Sequence, residues 1–417
     1  MTQISTPDFA AFRAGFPALR QQTYLSIADK MILHDKVRAA VELHLDRLAH
    51  ASASRIEHEA EVENARRRFA ALVGVSPDTI AITRNVSDGV NALAWARPLA
   101  DGANMVLTAS AEHPNNLYPW LRQQKRGLNL RIVPEGPGGT VDTDAMIAAM
   151  DADTVIMTCA SASFAPGFRS DLRRLGEACR ARGVFFMVDG VQTTGILQHD
   201  LSAEPIDAFV TSSSKGLLGA YGFGFLYLAE HWRDRFEPAY LSRPAVYQEG
   251  EDHSAMGDYD YMLQPNGRRF EVGSYNLAGA YAVSASLDLL LGLGAAAIEK
   301  HALALAAELR DGLSGTAFGA LVGQAPDPAQ HSHIVTLGTL DAGGHDVSDE
   351  PRIMALSAHL KSEQVSHSIR RGQIRMAMHA FNSAADVQRT IEVVDAFASR
   401  SAVSGSPQGQ AVARGVK

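Results

Sequence analysis

An α/β fold with a doubly wound, mostly parallel sheet is what residues 56 to 228 predict, followed by a smaller α+β unit. Three observations carry this expectation. Short apolar runs (Ile80 to Thr83, Met105 to Thr108, Val155 to Thr158, Val184 to Val188, Ala208 to Val210, Phe223 to Leu228) alternate with stretches whose apolar and charged residues recur at helical spacing. Runs such as Val184 to Val188 are apolar at consecutive positions, the pattern of parallel strands covered on both faces. That run ends on Asp189, and ligands bind at the carboxyl ends of such strands.

The bounds agree with an ordinary globular protein. At 417 residues, 46% hydrophobic and 20% charged, the chain is long enough for two domains with substantial cores. A net charge of -8 with both signs interspersed argues against nucleic acid or an anionic membrane as partner. The first residues lack a basic start followed by an apolar core, and no window reaches ~18 uninterrupted apolar residues, so a cytoplasmic protein is expected. The two cysteines, Cys159 and Cys179, fall in an expected strand and helix and are read as buried, reduced thiols; no metal cluster can be built from them.

Taken in order, residues 34 to 49 and 56 to 73 read as surface helices, with Glu57, Glu59, Glu61 and Glu63 ahead of Arg66 to Arg68 in the sense that matches the helix dipole. After Ile80 to Thr83, Ser87 and Asp88 are good helix starters, and a helix N-terminus is also a phosphate site. Asp171 to Arg182 is an amphipathic helix feeding the Asp189 strand. Three serines, Ser212, Ser213 and Ser214, lead from the next strand into Lys215, and a glycine-rich turn follows. A lysine crowded at a strand end loses its proton readily once desolvated, which a Schiff-base amine requires; alone, the window reads first as a solvated surface lysine in a glycine-rich hairpin. Residues 233 to 265 are irregular and rich in tyrosine, and are read as a partial lid. Leu277 to Leu291 and Ala295 to Leu313 are long helices, and residues 401 to 417 are poor in apolar residues and read as a disordered tail.

Together, VDGVQ at Val188 to Gln192 and SSSKGLLGAYGFGFLY from Ser212 resemble the pyridoxal-phosphate (PLP) dependent class V aminotransferase family, and within it the cysteine desulfurase and isopenicillin N epimerase-like branch. Further motifs follow in family order, from Tyr24-Leu25 to the helix near Val394. The resemblance implies fold type I, with an N-terminal arm (1–30) joining the small domain, a large PLP-binding domain (31–268), a small C-terminal domain (269–400) and the tail. It makes Lys215 the Schiff-base lysine and the base at Cα, and Asp189 the carboxylate that pairs with the protonated ring nitrogen. Gln192 takes the cofactor's phenolic oxygen. Ser87 and the amide of Val86 hold the phosphate; the family threonine is valine here, and Ser214 or Ser212 supplies the replacement hydroxyl.

The same resemblance gives further roles. In Glu112-His113-Pro114-Asn115-Asn116, His113 stacks on the ring and takes part in proton transfer, and Asn116 contacts substrate. Ala28 lies at the pocket's edge, where a charged pair, Asp29-Lys30, replaces an apolar position and would alter substrate choice. Phe164 or Ser163 stands near where desulfurases carry a substrate-contacting asparagine. Arg375 holds the substrate α-carboxylate in a bidentate grip. Ser274 reaches the phosphate of a second subunit, which implies a homodimer with shared active sites. Desulfurases carry a nucleophilic cysteine shortly before this arginine, and Leu356 to Arg371 contains none, so persulfide-forming desulfuration is excluded. The expected chemistry is therefore at the α-carbon of an amino acid: aminotransfer first, then β-elimination of the C–S lyase type, then epimerisation, and last a non-catalytic PLP-binding regulator.

Overall fold

The computed structural model describes residues 7–247 and 261–404. Seven strands form the central sheet, in the spatial order Ile80–Thr83, Gly224–Leu228, Ala208–Ser212, Phe185–Asp189, Thr154–Ala160, Asn104–Leu107, Asn129–Ile132. All neighbours pair in parallel except those of Gly224–Leu228, which runs against both of its own. Every residue of the Phe185–Asp189, Ala208–Ser212 and Gly224–Leu228 strands is buried, which is why these runs are continuously apolar and not alternating.

Helices cover the sheet on both faces, and their ends follow local chemistry. Ser54 and Glu57 form a reciprocal capping box that starts Arg55–Leu72. Asp171 caps Leu172–Arg182, and that helix stops at Gly183, whose φ of 68° is in the left-handed region that favours glycine. Arg55–Leu72 is not simply a surface helix. Phe69 stacks on Phe225 of the sheet at 4.0 Å, and Arg66 is only 3% exposed. Its guanidinium donates to the Ile80 carbonyl at 2.6 Å and to Glu271 at 2.5 Å, and Glu271, fully buried, also accepts from the Ile82 amide at 2.8 Å. The acidic-then-basic pattern hid this, because dipole matching and a buried ion pair place an arginine at the same point of a helix.

The boundary expected at residue 269 falls inside this packing. Glu271 is locked to Arg66, and the helix Leu277–Leu293 lies against Asp35–Ala49 and Arg55–Leu72, so these residues complete the large unit. Beyond them a three-stranded antiparallel sheet, ordered Ile334–Leu337, Gln373–Ala377, Ser368–Arg370, is backed by the helices Ala295–Ser314, Pro351–Ser362 and Ala384–Ser404. The arm joins this smaller unit: Thr23–Tyr24 pairs in parallel with Val365–Ser366, Asn382 donates to the Tyr24 carbonyl, and Arg13 grips Asp386. The last helix runs to Ser404, past the expected start of the tail at 401, and 405–417 lie outside the described residues. Of the lid expected at 233–265, Val246–Tyr247 and Met262–Leu263 form a two-stranded antiparallel ribbon, while 248–260, with His253 and Tyr259, lie outside the described residues. No single described helix is long and apolar enough to cross a membrane.

Candidate active site

A cavity of about 580 Å3 opens at the carboxyl ends of the parallel strands, between the large unit, the arm and the smaller unit. Asp189 enters it from the last residue of the central strand, and Lys215 from the turn after the neighbouring strand. Adjacent parallel strands ending side by side bring these two groups together across 26 residues of chain. Gly216, directly after the lysine, fixes that turn against the Thr194 carbonyl, which a Cβ would approach to 2.4 Å, so no larger residue fits.

The electrostatics of the pair are those of a buried site. Burial raises the Asp189 carboxyl to about 6, opposed by the hydrogen bond it accepts from the Val191 amide at 2.9 Å and by the nearby Lys215 charge. Burial lowers the Lys215 amine to about 8, and the Arg375 charge pushes the same way. His113 also lines the cavity, edge-on to the Phe164 ring at 5.6 Å, and burial together with Lys215 lowers it to about 4. Its imidazole is neutral at pH 7. Its Nδ1 accepts from the Asn115 amide at 3.2 Å, which places the ring proton on Nε2.

Val86 and Ser87 line the cavity on the first turn of the helix Val86–Ala96. The cap is Asn85, whose side chain accepts from the Asp88 amide at 3.0 Å, and not Ser87 or Asp88; Asp88 pairs with Arg84 instead. Ser87 is thereby left facing the cavity. Ser212 and Ser214 line it too, whereas Ser213 turns away and bonds to the Phe223 carbonyl. Gln192 donates to the Ala28 carbonyl at 3.3 Å, and its carbonyl oxygen is buried without a hydrogen-bond partner. The second N–H of the Gln192 amide, a carboxylate at the end of a central strand, an amine and a helix N-terminus beside a serine are the donors and acceptors that a phosphorylated pyridine aldehyde would use.

Arg375 reaches the cavity from the middle strand of the small sheet and is 2% exposed. It donates to the Phe164 carbonyl at 2.6 Å and to Ser368 at 3.1 Å, and no described carboxylate forms an ion pair with it. Burial and the adjacent Arg370 lower it to about 9. Asn116 is a correction: it does not line the cavity. It is fully buried and donates to Glu112 at 2.7 Å and Thr158 at 3.1 Å, while Glu112 accepts from the Ala160 amide at 2.8 Å. Asn116 therefore braces the strand end, and Asn115 lines the cavity in its place. Ser274 is exposed and does not line this cavity.

Tyr221, His345, Arg370 and Arg371 also line the cavity, and none was assigned a role from sequence. The Arg370-Arg371 doublet was a readable signal, since two adjacent charges interrupt apolar strand residues only where the fold supplies partners. Arg370 pairs with Asp29 at 2.5 Å and Asp346 at 2.9 Å; Arg371 pairs with Glu135 at 2.7 Å and Asp341 at 2.6 Å. The loop holding His345 offered only a glycine pair.

Comparison with known proteins agrees with this geometry. Residues 35–390 match the family model described as aminotransferase class V. The chain is similar to a probable cysteine desulfurase of Methanothermobacter thermautotrophicus, 28% identical over 346 residues, covering 81% of this chain and 84% of that protein. It is also similar to the isopenicillin N epimerase of Amycolatopsis lactamdurans, 31% identical over 261 residues and covering 60% and 64% of the two chains. Among solved structures, a cysteine desulfurase of Thermococcus onnurineus shares the fold with a TM-score of 0.78 at 22% identity, covering 94% of this chain and 98% of that one.

Proposed function

The chain belongs to the class V aminotransferase family of PLP-dependent enzymes, and we propose that it transfers the amino group of an amino acid to a 2-oxo acid. The observation that carries this reading is the convergence of Lys215, Asp189 and Arg375 on one cavity, with Arg375 buried and without a carboxylate partner among the described residues. When bound, the pyridoxal ring supplies an electron sink for negative charge developing at the substrate Cα. Asp189 would hold the proton on its ring nitrogen, Gln192 its phenolic oxygen, and Ser87, the Val86 amide, Ser212 and Ser214 its phosphate. Arg375 presents parallel N–H donors to the substrate carboxylate and so orients the Cα–H bond. Lys215 Nζ, with its amine lowered to about 8, gives up its proton far more readily than an ordinary lysine and would take the Cα proton and return it. His113, neutral, would pack over the ring and could donate its Nε2 proton there.

Persulfide formation is outside this reading. Cys159 and Cys179 are the chain's two cysteines, both are buried and neither lines the cavity; burial raises both thiols, that of Cys179 to about 12. Two unpaired thiols also suit a reducing compartment, which supports placement in the cytoplasm. A homodimer is part of the proposal: Ser274, exposed on its own protomer, would reach the phosphate site of the second, and Tyr221 at the cavity mouth, 64% exposed, leaves apolar surface for that copy to cover.

A single-turnover experiment tests the reaction type. With an amino acid and no 2-oxo acid, transfer yields one 2-oxo acid product per site, no free ammonia, and no further reaction until a second 2-oxo acid is added. Continuous release of pyruvate and ammonia without that requirement would replace aminotransfer with β-elimination, and loss of stereochemistry without product release would replace it with epimerisation.

A further inference from the structure

Asp29 stands on the cavity wall, and its backbone is fixed by a turn in which the Asp29 and Lys30 amides both donate to the Ser26 carbonyl, at 2.9 and 3.1 Å. One carboxylate oxygen accepts from Arg370 at 2.5 Å; the other accepts no hydrogen bond from the described residues. We propose that Asp29 reads the substrate side chain and selects amino acids that carry a second, protonated amine. This rests on the amino-acid reading above and deepens it.

The charge balance of this end of the cavity decides between a cationic and an anionic side chain. Arg371 spends its N–H groups on the two oxygens of Glu135, the two of Asp341, and the Ser110 and Ala165 carbonyls, and offers nothing to a ligand. Arg370 is met by Asp29 and Asp346. The two arginines are thus faced by twice their number of carboxylates. An incoming side-chain carboxylate would be the third acid about the Arg370 guanidinium and would meet Asp29 and Asp346 as like charges. An incoming ammonium displaces nothing: it takes the free oxygen of Asp29 while Arg370 stays paired. Arg375 remains for the α-carboxylate, so the two ends of a diamino acid meet opposite charges at two separately held points.

The probes are L-ornithine, L-norvaline and L-glutamate, whose side chains are of similar length and differ in charge, offered to the PLP-loaded full chain. The ratio of kcat/KM for ornithine over norvaline should fall by about tenfold or more in Asp29→Asn, and Asp29→Glu, which keeps the charge, should recover part of it. A ratio unchanged within about twofold in Asp29→Asn, or a wild-type preference for glutamate over ornithine, overturns the proposal. Borohydride reduction and peptide mapping separate the two levels of argument. A link at Lys215 with an unchanged ratio removes this inference alone, whereas no link at Lys215 in the wild-type protein removes the cofactor reading and this inference with it.

Discussion

The two ends of the cavity are built by different means. At the sheet end, Asp189, Ser212 and Lys215 stand at the tips of neighbouring buried strands, and their places follow from parallel pairing within one stretch of chain. At the opposite end, Asp29 comes from the arm, Glu135 and Phe164 from the large unit, and Asp346, Arg370, Arg371 and Arg375 from the smaller unit, tied by ion pairs and carbonyl contacts. The first end is held by a core that cannot shift without breaking the sheet. The second is held by side-chain contacts, several of them partly exposed, such as Arg370 to Asp346, whose carboxylate is 69% exposed. The proposed chemistry sits on the rigid end and the proposed substrate choice on the adjustable one.

Four measurements press on that contrast, the largest expected effect first. Lys215→Ala should abolish the borohydride-fixed link and cut activity by ~1,000-fold or more while the fold and non-covalent PLP binding persist. A reducible link on another lysine in that variant would move the reaction centre away from the sheet end. Asp189→Asn keeps an acceptor for the Val191 amide but cannot hold a proton on the ring nitrogen, so kcat should drop by ~100-fold or more with little change in thermal stability. Unaltered turnover would reduce Asp189 to a turn-forming residue.

At the other end, Arg375→Lys keeps the charge but loses the planar fork. KM for the amino acid should rise by ~10 to 100-fold, with PLP affinity unaltered by calorimetry. If PLP affinity fell in parallel, the two ends would not be separable. The smallest effect is a pH dependence. Because the Lys215 amine is lowered to about 8, it is neutral above that pH and protonated below. The rate at which cofactor-free protein captures PLP, followed by absorbance, should therefore level off above about pH 8 and fall ~10-fold per unit below it. A plateau reached only near the pH of an ordinary lysine would show that the amine is not desolvated.

The same contrast explains what could be read in advance. Apolar runs at Phe185 to Val188 and Ala208 to Val210 are forced by burial on both faces, so the strands, their parallel pairing and the polar residues at their tips were legible one residue type at a time. Asn116 was misplaced by one position because a motif gives spacing but not which side of a helix turn faces inward; its bonds to Glu112 and Thr158 turn it into the core, and Asn115 faces the cavity. Arg66 was taken for a surface charge because its partner, Glu271, lies 205 residues away. What the sequence by itself determined about this protein is the α/β sheet and which polar residues stand at its strand ends, since strand burial and strand ends are properties of short contiguous segments. What only the tertiary structure decided is how the charges at Asp29, Arg370, Arg371 and Arg375 are shared out, because an ion pair's worth depends on distance and burial, and those are set by segments as far apart as residues 29 and 370.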